Sequence, residues 1–251
     1  MKRIILFCVM LIISLAGCRK AMSPEQLMRE ASLNLSKSDK LHLHVELTAD
    51  LQDGTLAEPE TLAVMDLYAD GLRGNAGRAS GAVRFVADGE RVNADFYSDG
   101  EWLYASVGEE GVRIPIANTG MDGLLAGVRL PTSSELLPEP EVRVEEERTV
   151  LIYRLRDGMM NSLFDQITGS GIEALLPNGN PVFGDGEMVI VISEGEIREI
   201  TCSMLTVGER PTEFKTVISF LETTDMQAPL PPEGYESFPI FSAKETAGAG
   251  N

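Results

Sequence analysis

A long stretch of alternating apolar and polar residues near the start of the chain constrains the fold more than any other feature. From Leu41 to Leu51 every second residue is apolar, and the residues between them are polar or charged. Successive side chains of a β-strand point to opposite faces, so this pattern predicts a long strand with one buried and one solvated face. Such a strand is stable only within a sheet of several strands.

Strand character returns along most of the chain and predicts an antiparallel sheet of about nine to eleven strands. The dipeptides Asp70-Gly71, Asp88-Gly89 and Asp99-Gly100 separate several of the early strands, and Asp-Gly favours the positive φ that hairpin turns need. The first half therefore reads as a meander. The predicted strands are 41–51, 61–73, 79–87, 91–97, 102–107, 112–116, 141–147, 149–156, 187–193, 196–207 and 213–223.

A helix is predicted immediately before the first strand. The sequence Ser23-Pro24-Glu25-Gln26 has the form of an N-cap serine, a proline at the first helical position and a glutamine three residues after the cap. Leu27, Ala31 and Leu35 then recur at intervals of four, so residues 24–37 carry one apolar stripe that must pack on another element.

Two glycine-rich or proline-rich regions interrupt the strands. Residues 117–140 read as a long connection with helical turns, and residues 159–176 as a second helical region broken at Gly169 and Gly171. Both regions carry apolar residues that could lie over one face of the sheet. The tail, residues 239–251, is predicted to be flexible.

The first residues have the organisation of an export signal. Lys2 and Arg3 are followed by the apolar run Ile4 to Ser14, which is too short to cross a bilayer as a helix. The next four residues, Leu15-Ala16-Gly17-Cys18, resemble the lipobox of bacterial lipoproteins. The alternative is an ordinary secretory signal in which Cys18 is incidental.

The lipobox resemblance implies that residues 1–17 are removed and that acyl chains such as palmitate are attached to Cys18. More than one acyl chain gives stable anchoring. The expected location is then the extracytoplasmic side of a cell membrane, with residues 18–22 as a short tether.

Charge and cysteine content narrow the function further. Removal of residues 1–17 takes Lys2 and Arg3 away and changes the formal net charge from −18 to −20. This acidity excludes nucleic acid as an electrostatic partner. The mature chain keeps only Cys18 and Cys202, so an intramolecular disulfide is not expected, and Cys202 is predicted to be a small buried hydrophobe.

The element order gives a second resemblance, over residues 23–238. An amphipathic helix leading into a long alternating strand, with a closing meander before a proline-bearing tail, resembles the LolA/LolB-like lipoprotein fold. That family includes mycobacterial glycolipid-binding lipoproteins. The resemblance implies an α+β fold: a curved antiparallel half-barrel with an N-terminal helix and helical lid segments on its concave face.

A cavity under such a lid would accept acyl chains or another apolar ligand. The residues expected to line it are apolar and flexible, as suits varied apolar ligands, although they also suit an ordinary core. They are Leu124, Leu125, Met159, Met160, Phe164 and Ile167.

Residues that support catalysis are scarce. His42 and His44 are the only histidines, and with Glu46 they share one face of the first strand, where they could converge on a metal ion. A solvated strand face explains the same spacing, so no metal site and no cofactor are predicted. The sequence has no G-x-S-x-G motif and no histidine elsewhere to act as a base. We therefore do not expect an enzyme.

Two functions remain. The first is a membrane-anchored lipoprotein that binds a lipid or another hydrophobic ligand, as a carrier or an envelope sensor. The alternative is a non-catalytic interaction or regulatory lipoprotein with a filled core and a protein partner in the envelope.

Overall fold

The computed structural model of the 251-residue chain describes residues 22–51, 59–73, 77–87, 90–108, 110–116, 137–156, 183–208, 211–223, 226 and 229–240. Several predictions fall outside these residues. They are the signal peptide, Cys18, the Asp88-Gly89 turn, most of the two predicted lid regions, all six predicted cavity residues and the end of the tail.

The predicted N-terminal helix is confirmed as helix α1, Pro24–Ser36. Its capping box forms as expected: the Ser23 hydroxyl accepts from the Gln26 backbone at 3.2 Å, and the Gln26 side chain accepts from the Ser23 backbone at 3.1 Å. The Lys37 backbone amide donates to the carbonyl groups at the end of the helix. Within the described ranges, no helix has the length and apolarity that crossing a bilayer requires.

The described residues form one antiparallel sheet of eleven strands, within the predicted range. The strands are β1 Lys40–Leu51, β2 Glu60–Asp70, β3 Arg78–Ala87, β4 Glu90–Ser98, β5 Trp102–Val107, β6 Glu110–Pro115, β7 Glu141–Glu145, β8 Arg148–Leu155, β9 Phe183–Ser193, β10 Glu196–Thr206 and β11 Thr212–Phe220.

The sheet consists of two meanders joined by the first and last strands. Its order is β6-β5-β4-β3-β2-β1-β11-β10-β9-β8-β7, with Val45 of β1 opposite Ile218 of β11. The strands β6 and β7 are its two edges, so the sheet is open. The curvature and the helical lid implied by the LolA/LolB resemblance stay predictions.

Two of the turns show why the chain reverses where it does. Asp99 Oδ1 accepts from the backbone amides of Glu101 and Trp102 at 2.9 and 2.8 Å, and Gly100 has a φ of 93°, as expected for an Asp-Gly turn. Between β9 and β10, Glu194 and Gly195 both have positive φ, which matches the right-handed twist of a two-residue hairpin.

Helix α1 covers the second half of the sheet. Met28 and Ala31 are buried in one cluster with residues of β8, β9 and β10, among them Leu151, Ile190 and Ile200. Cys202 is also buried there, as the sequence predicted. A second cluster, around Leu43 and Leu67, joins the first through Leu35 of the helix.

The end of the described chain packs on the opposite side of the sheet. The Tyr235 ring, in a 3-10 helix at Tyr235–Ser237, contacts Tyr104 edge-on with ring centroids 5.0 Å apart. Phe238 lies against Gly111 of β6, where there is no room for a Cβ atom. These aromatic contacts hold the chain end against β4, β5 and β6.

Candidate functional site

The face of the sheet that helix α1 contacts, here called the inner face, is the candidate functional surface. Neighbouring strands place residues of this face in transverse rows, because residues paired across an antiparallel sheet point the same way. On β2 to β6 the rows are Ala63–Phe85–Val92, Met65–Val83–Ala94, Leu67–Gly81–Phe96–Ala105–Val112 and Ala69–Ala79–Ser98–Leu103–Ile114.

These rows are apolar except for Ser98. That serine is fully buried, and its hydroxyl accepts from the Gly100 backbone at 3.2 Å. No charged side chain belongs to any of the rows. The two rows that reach β5 and β6 are followed there, on the same face, by the exposed residues Val107 and Glu110, so the charge-free surface of four rows is confined to β2, β3 and β4.

The burial of this surface changes along the strands. Leu67, Ala69 and Ala79 are buried, whereas the rows that contain Met65 and Phe85 are only half-buried. Over β2 to β4, two spacings of about 4.8 Å and six residues of about 3.3 Å give the surface of four rows dimensions of roughly 10 by 20 Å. A half-buried apolar surface of this size is adequate for one or two acyl chains, which fill about 15 Å of each bilayer leaflet.

Phe96 shapes the middle of this surface. Its ring lies over Gly81 on the neighbouring strand, and a Cβ atom at Gly81 would come within 2.6 Å of Phe96 Cζ. Glycine therefore provides the space in which the aromatic ring lies flat on the sheet.

The part of the inner face under helix α1 is filled. Met188 and Met204 are 2% and 5% exposed and pack among the residues of the first cluster, as in an ordinary core. Beneath the helix the described residues therefore leave no space for a ligand.

The candidate metal ligands lie on the opposite, outer face and have separate partners. His42 stacks on Tyr68 with ring centroids 4.2 Å apart, whereas His44 Nδ1 lies 2.7 Å from Asp66 Oδ1. Glu46 accepts from the Thr61 hydroxyl at 3.4 Å. In the described part of the chain, no three histidine, cysteine or acidic residues are arranged to hold a metal ion.

Cys202 is unsuited to nucleophilic chemistry. It is 8% exposed, and burial raises the pKa of its thiol to about 11. The thiol is therefore protonated near neutral pH, and the thiolate that attacks substrates is absent.

A cavity of about 470 Å³ is found elsewhere, on the outer face beside β7. Ile152 and Pro138 form its apolar part, and the other lining residues are Glu139, Glu141, Arg154 and Arg156. Four of its six lining side chains are charged, so it suits a ligand with a polar or charged group. This cavity is separate from the inner face.

The structure and the sequence thus identify different residues. The six predicted cavity residues lie outside the described ranges, while the rows on β2 to β6 were predicted as strands without being recognised as a site. The sequence pattern that could have revealed these rows is the alternation of apolar residues in 79–87 and 91–97. Aligning the two strands across their hairpin turn places those apolar residues side by side on one face.

The fold and this surface define a class of protein: an open antiparallel sheet with an N-terminal helix on one half of an apolar face.

Among solved structures, the chain is similar to LprF from Mycobacterium bovis, with 14% identity, a TM-score of 0.50, and coverage of 82% of this chain and 96% of LprF. It is also similar to the lipoprotein LppX of Mycobacterium tuberculosis, with 12% identity, a TM-score of 0.44, and coverage of 81% and 97%. No protein-family model and no curated protein matches the sequence.

The similarity to LprF shows that the two proteins share a fold. It agrees with the antiparallel sheet preceded by a helix that the element order predicted. At 14% identity it does not transfer a ligand or a residue role.

Proposed function

We propose that this chain is an extracytoplasmic, lipid-anchored lipoprotein that binds a lipid or another amphiphile through its apolar part, as a carrier or a sensor. The observation that carries the proposal is the charge-free, half-buried apolar surface formed by the rows on β2 to β4. The ligand's apolar part lies against Met65, Val83 and Phe85, which are half-buried.

The energetics of this surface are sufficient for binding. Each methylene group moved from water to an apolar surrounding contributes about 0.8 kcal/mol. Ten such groups give about 8 kcal/mol, which corresponds to a micromolar dissociation constant before the cost of ordering the ligand. Polar contacts are therefore not required for affinity, and the surface selects by size and apolarity.

The export signal supports the location in this proposal. Attachment of acyl chains to Cys18 would leave only residues 19–22 before Ser23, the N-cap of helix α1. A tether this short, about 3.5 Å per residue, keeps the domain within about 15 Å of the membrane. A lipid carrier or sensor needs this closeness because its ligand resides in the bilayer. The short tether and the apolar surface thus support the same function.

A second function, protein interaction without a bound lipid, is favoured by the filled core under helix α1. Met188, Met204 and Leu151 leave no ligand space in that half of the molecule. In this alternative the surface on β2 to β4 is covered by protein. The two functions differ in whether a lipid accompanies the purified chain.

Native mass spectrometry of the chain from Ala21 onward, after incubation with membrane extract, tests the proposal. We expect a stoichiometric lipid-sized adduct, identified after organic extraction. A clean apo mass would contradict lipid binding and favour the protein-interaction function.

A matched pair of substitutions locates the ligand. Val83→Glu places a charge on the inner face, whereas Val86→Glu places the same charge on the outer face of the same strand, and both valines are half-buried. We expect Val83→Glu to weaken lipid binding at least about tenfold because burying a carboxylate against an acyl chain is costly, and Val86→Glu to leave it unchanged. Equal binding by both variants would place the ligand elsewhere. Circular dichroism confirms that each variant is folded.

A further inference from the structure

The two edges of the sheet differ in the described part of the chain. At the β6 edge the Arg113 backbone amide donates to the Pro239 carbonyl oxygen at 2.9 Å, and Ile240 forms a parallel bridge with Arg113. The chain end therefore covers β6. On the β7 edge all five residues are exposed, and Val142 and Val144 keep 42% and 76% of their accessible surface. Exposed valines on an edge strand favour pairing with another strand.

The hairpin geometry shows which backbone groups of β7 point to the open edge. Glu145 and Arg148 close a two-residue turn in which Glu146 has a φ of 48°, and the closing pair of such a turn is hydrogen-bonded. Bonded and non-bonded pairs then alternate, so Arg143 bonds to β8 and Val142 and Val144 do not. The N–H and C=O groups of Val142 and Val144 consequently point away from the sheet.

The sequence of β7 is self-complementary. Glu141, Arg143 and Glu145 alternate in charge on the outer face, and the two valines lie between them on the inner face. We propose that β7 pairs antiparallel with β7 of a second copy of this chain, in the register that places Val142 opposite Val142. The two sheets then join edge to edge, and their apolar inner faces become continuous.

Charge decides this register. Pairing Val142 with Val144 of the second copy would bring Arg143 opposite Arg143, and like charges directly across a strand pair are destabilising. With Val142 opposite Val142, each Arg143 faces Glu141 of the second copy. In this register the outward-pointing backbone groups can still form hydrogen bonds between the copies. The Val144 backbone amide of one copy donates to the Pro140 carbonyl oxygen of the other. Within one chain the Glu141 carboxylate accepts from Arg143 at 2.9 Å and lies 3.6 Å from Arg154, so the cross-strand pair replaces or shares one of these exposed contacts.

One strand pair is a small interface, below the roughly 1,200 Å² of stable protein complexes, so the dimer is weak and exchanging. Self-association is independent of lipid binding, and either property can fail without the other. Capture by a disulfide suits a weak pairing. In the proposed register two cysteines at position 142 lie about 5.5 Å apart between Cα atoms, within disulfide range.

The test uses the full chain in membranes, treated with a mild oxidant, with Val142→Cys and Val144→Cys as a matched pair. Both positions are exposed on the same face of β7, but position 144 lies opposite Pro140 of the second copy. We expect a disulfide-linked dimer of twice the chain mass for Val142→Cys and several-fold less for Val144→Cys. The unmodified chain, whose Cys202 is buried, gives the background.

Three outcomes would overturn the proposal: no dimer above background for Val142→Cys, equal or greater yield for Val144→Cys, or a cross-linked product containing a different protein. Charge reversal in the Val142→Cys chain tests the register separately. Arg143→Glu should lower the dimer yield roughly tenfold, since it removes two cross-strand pairs. The double variant Glu141→Arg/Arg143→Glu should restore it, and a yield insensitive to either change would contradict the proposed pairing.

Discussion

The side-chain amide of Asn34 donates a hydrogen bond of 2.9 Å to the main-chain carbonyl oxygen of Gly195, a residue 161 positions further along the chain. Asn34 lies in the last turn of helix α1, and Gly195 is in the tight turn between β9 and β10. The bond fixes the end of the helix over the second meander just before the chain enters β1.

Replacing Asn34 with alanine should lower the free energy of unfolding by about 1 kcal/mol, because a half-buried carbonyl group loses its partner. Urea denaturation measures the change. Ser36→Ala in the same turn is the control, since the exposed Ser36 hydroxyl bonds only to the nearby Leu33 carbonyl. A loss as large for Ser36→Ala would show that the effect belongs to helix propensity and not to the long-range bond.

Leu151 should be among the residues most sensitive to truncation. It is fully buried on the inner face of β8, so Leu151→Ala removes packing under the helix and should cost about 2–5 kcal/mol. Val150→Ala, on the outer face of the same strand, should cost about 1 kcal/mol or less. Thermal unfolding of both variants provides the comparison, and similar melting temperatures would contradict the assignment of the two faces.

Gly81 should not tolerate a side chain. A Cβ atom there would meet both the Phe96 ring and the main-chain carbonyl of Asp66, so Gly81→Ala should destabilise the protein by about 1–3 kcal/mol or more. Gly208 has nothing within 4 Å of the same position, and Gly208→Ala should change stability by about 0.5 kcal/mol or less. Denaturation midpoints that agree for the two variants would argue against the close approach of Phe96.

Tyr104 should contribute to unfolding at high pH. Burial, assisted by the Asp99 carboxylate that accepts its hydroxyl at 3.1 Å, raises the pKa of Tyr104 from 10.0 to about 12. Below pH 10 the phenol is neutral in both states, so its contribution to stability is complete. That contribution is lost as pH rises from 10 to 12, because the unfolded chain releases its proton first.

Tyr104→Phe should therefore lose less stability between pH 10 and 12 than the unmodified chain. Urea midpoints at pH 8, 10 and 11 measure the difference. Burial also raises the pKa values of Tyr97 and Tyr153, so part of the alkaline dependence should persist in the variant. An identical pH profile for both proteins would show that Tyr104 does not contribute.

Local sequence was sufficient for most of the elements. The alternation of residues 41–51 predicted β1, and the capping sequence at Ser23 predicted the first residue of the helix. These features depend on neighbouring residues alone, which is why one sequence was enough.

Strand ends were less well predicted where local signals compete with pairing. The second strand was expected to run to Arg73 and ends at Asp70, because Leu72 turns back to donate to the Asp39 carbonyl at 3.2 Å. The ninth strand begins at Phe183, four residues earlier than expected, since β10 supplies Thr206 as its partner.

The sequence by itself determined the export signal pattern, the acidity, the helix and the alternating strands, because these follow from local periodicity and composition. Only the tertiary structure decided that β1 pairs with β11, that the helix fills one half of the inner face, and that the apolar rows on β2 to β4 form one continuous surface. Those features depend on which distant strands become neighbours. Alternation specifies that a strand has a buried face but does not specify what that face contacts.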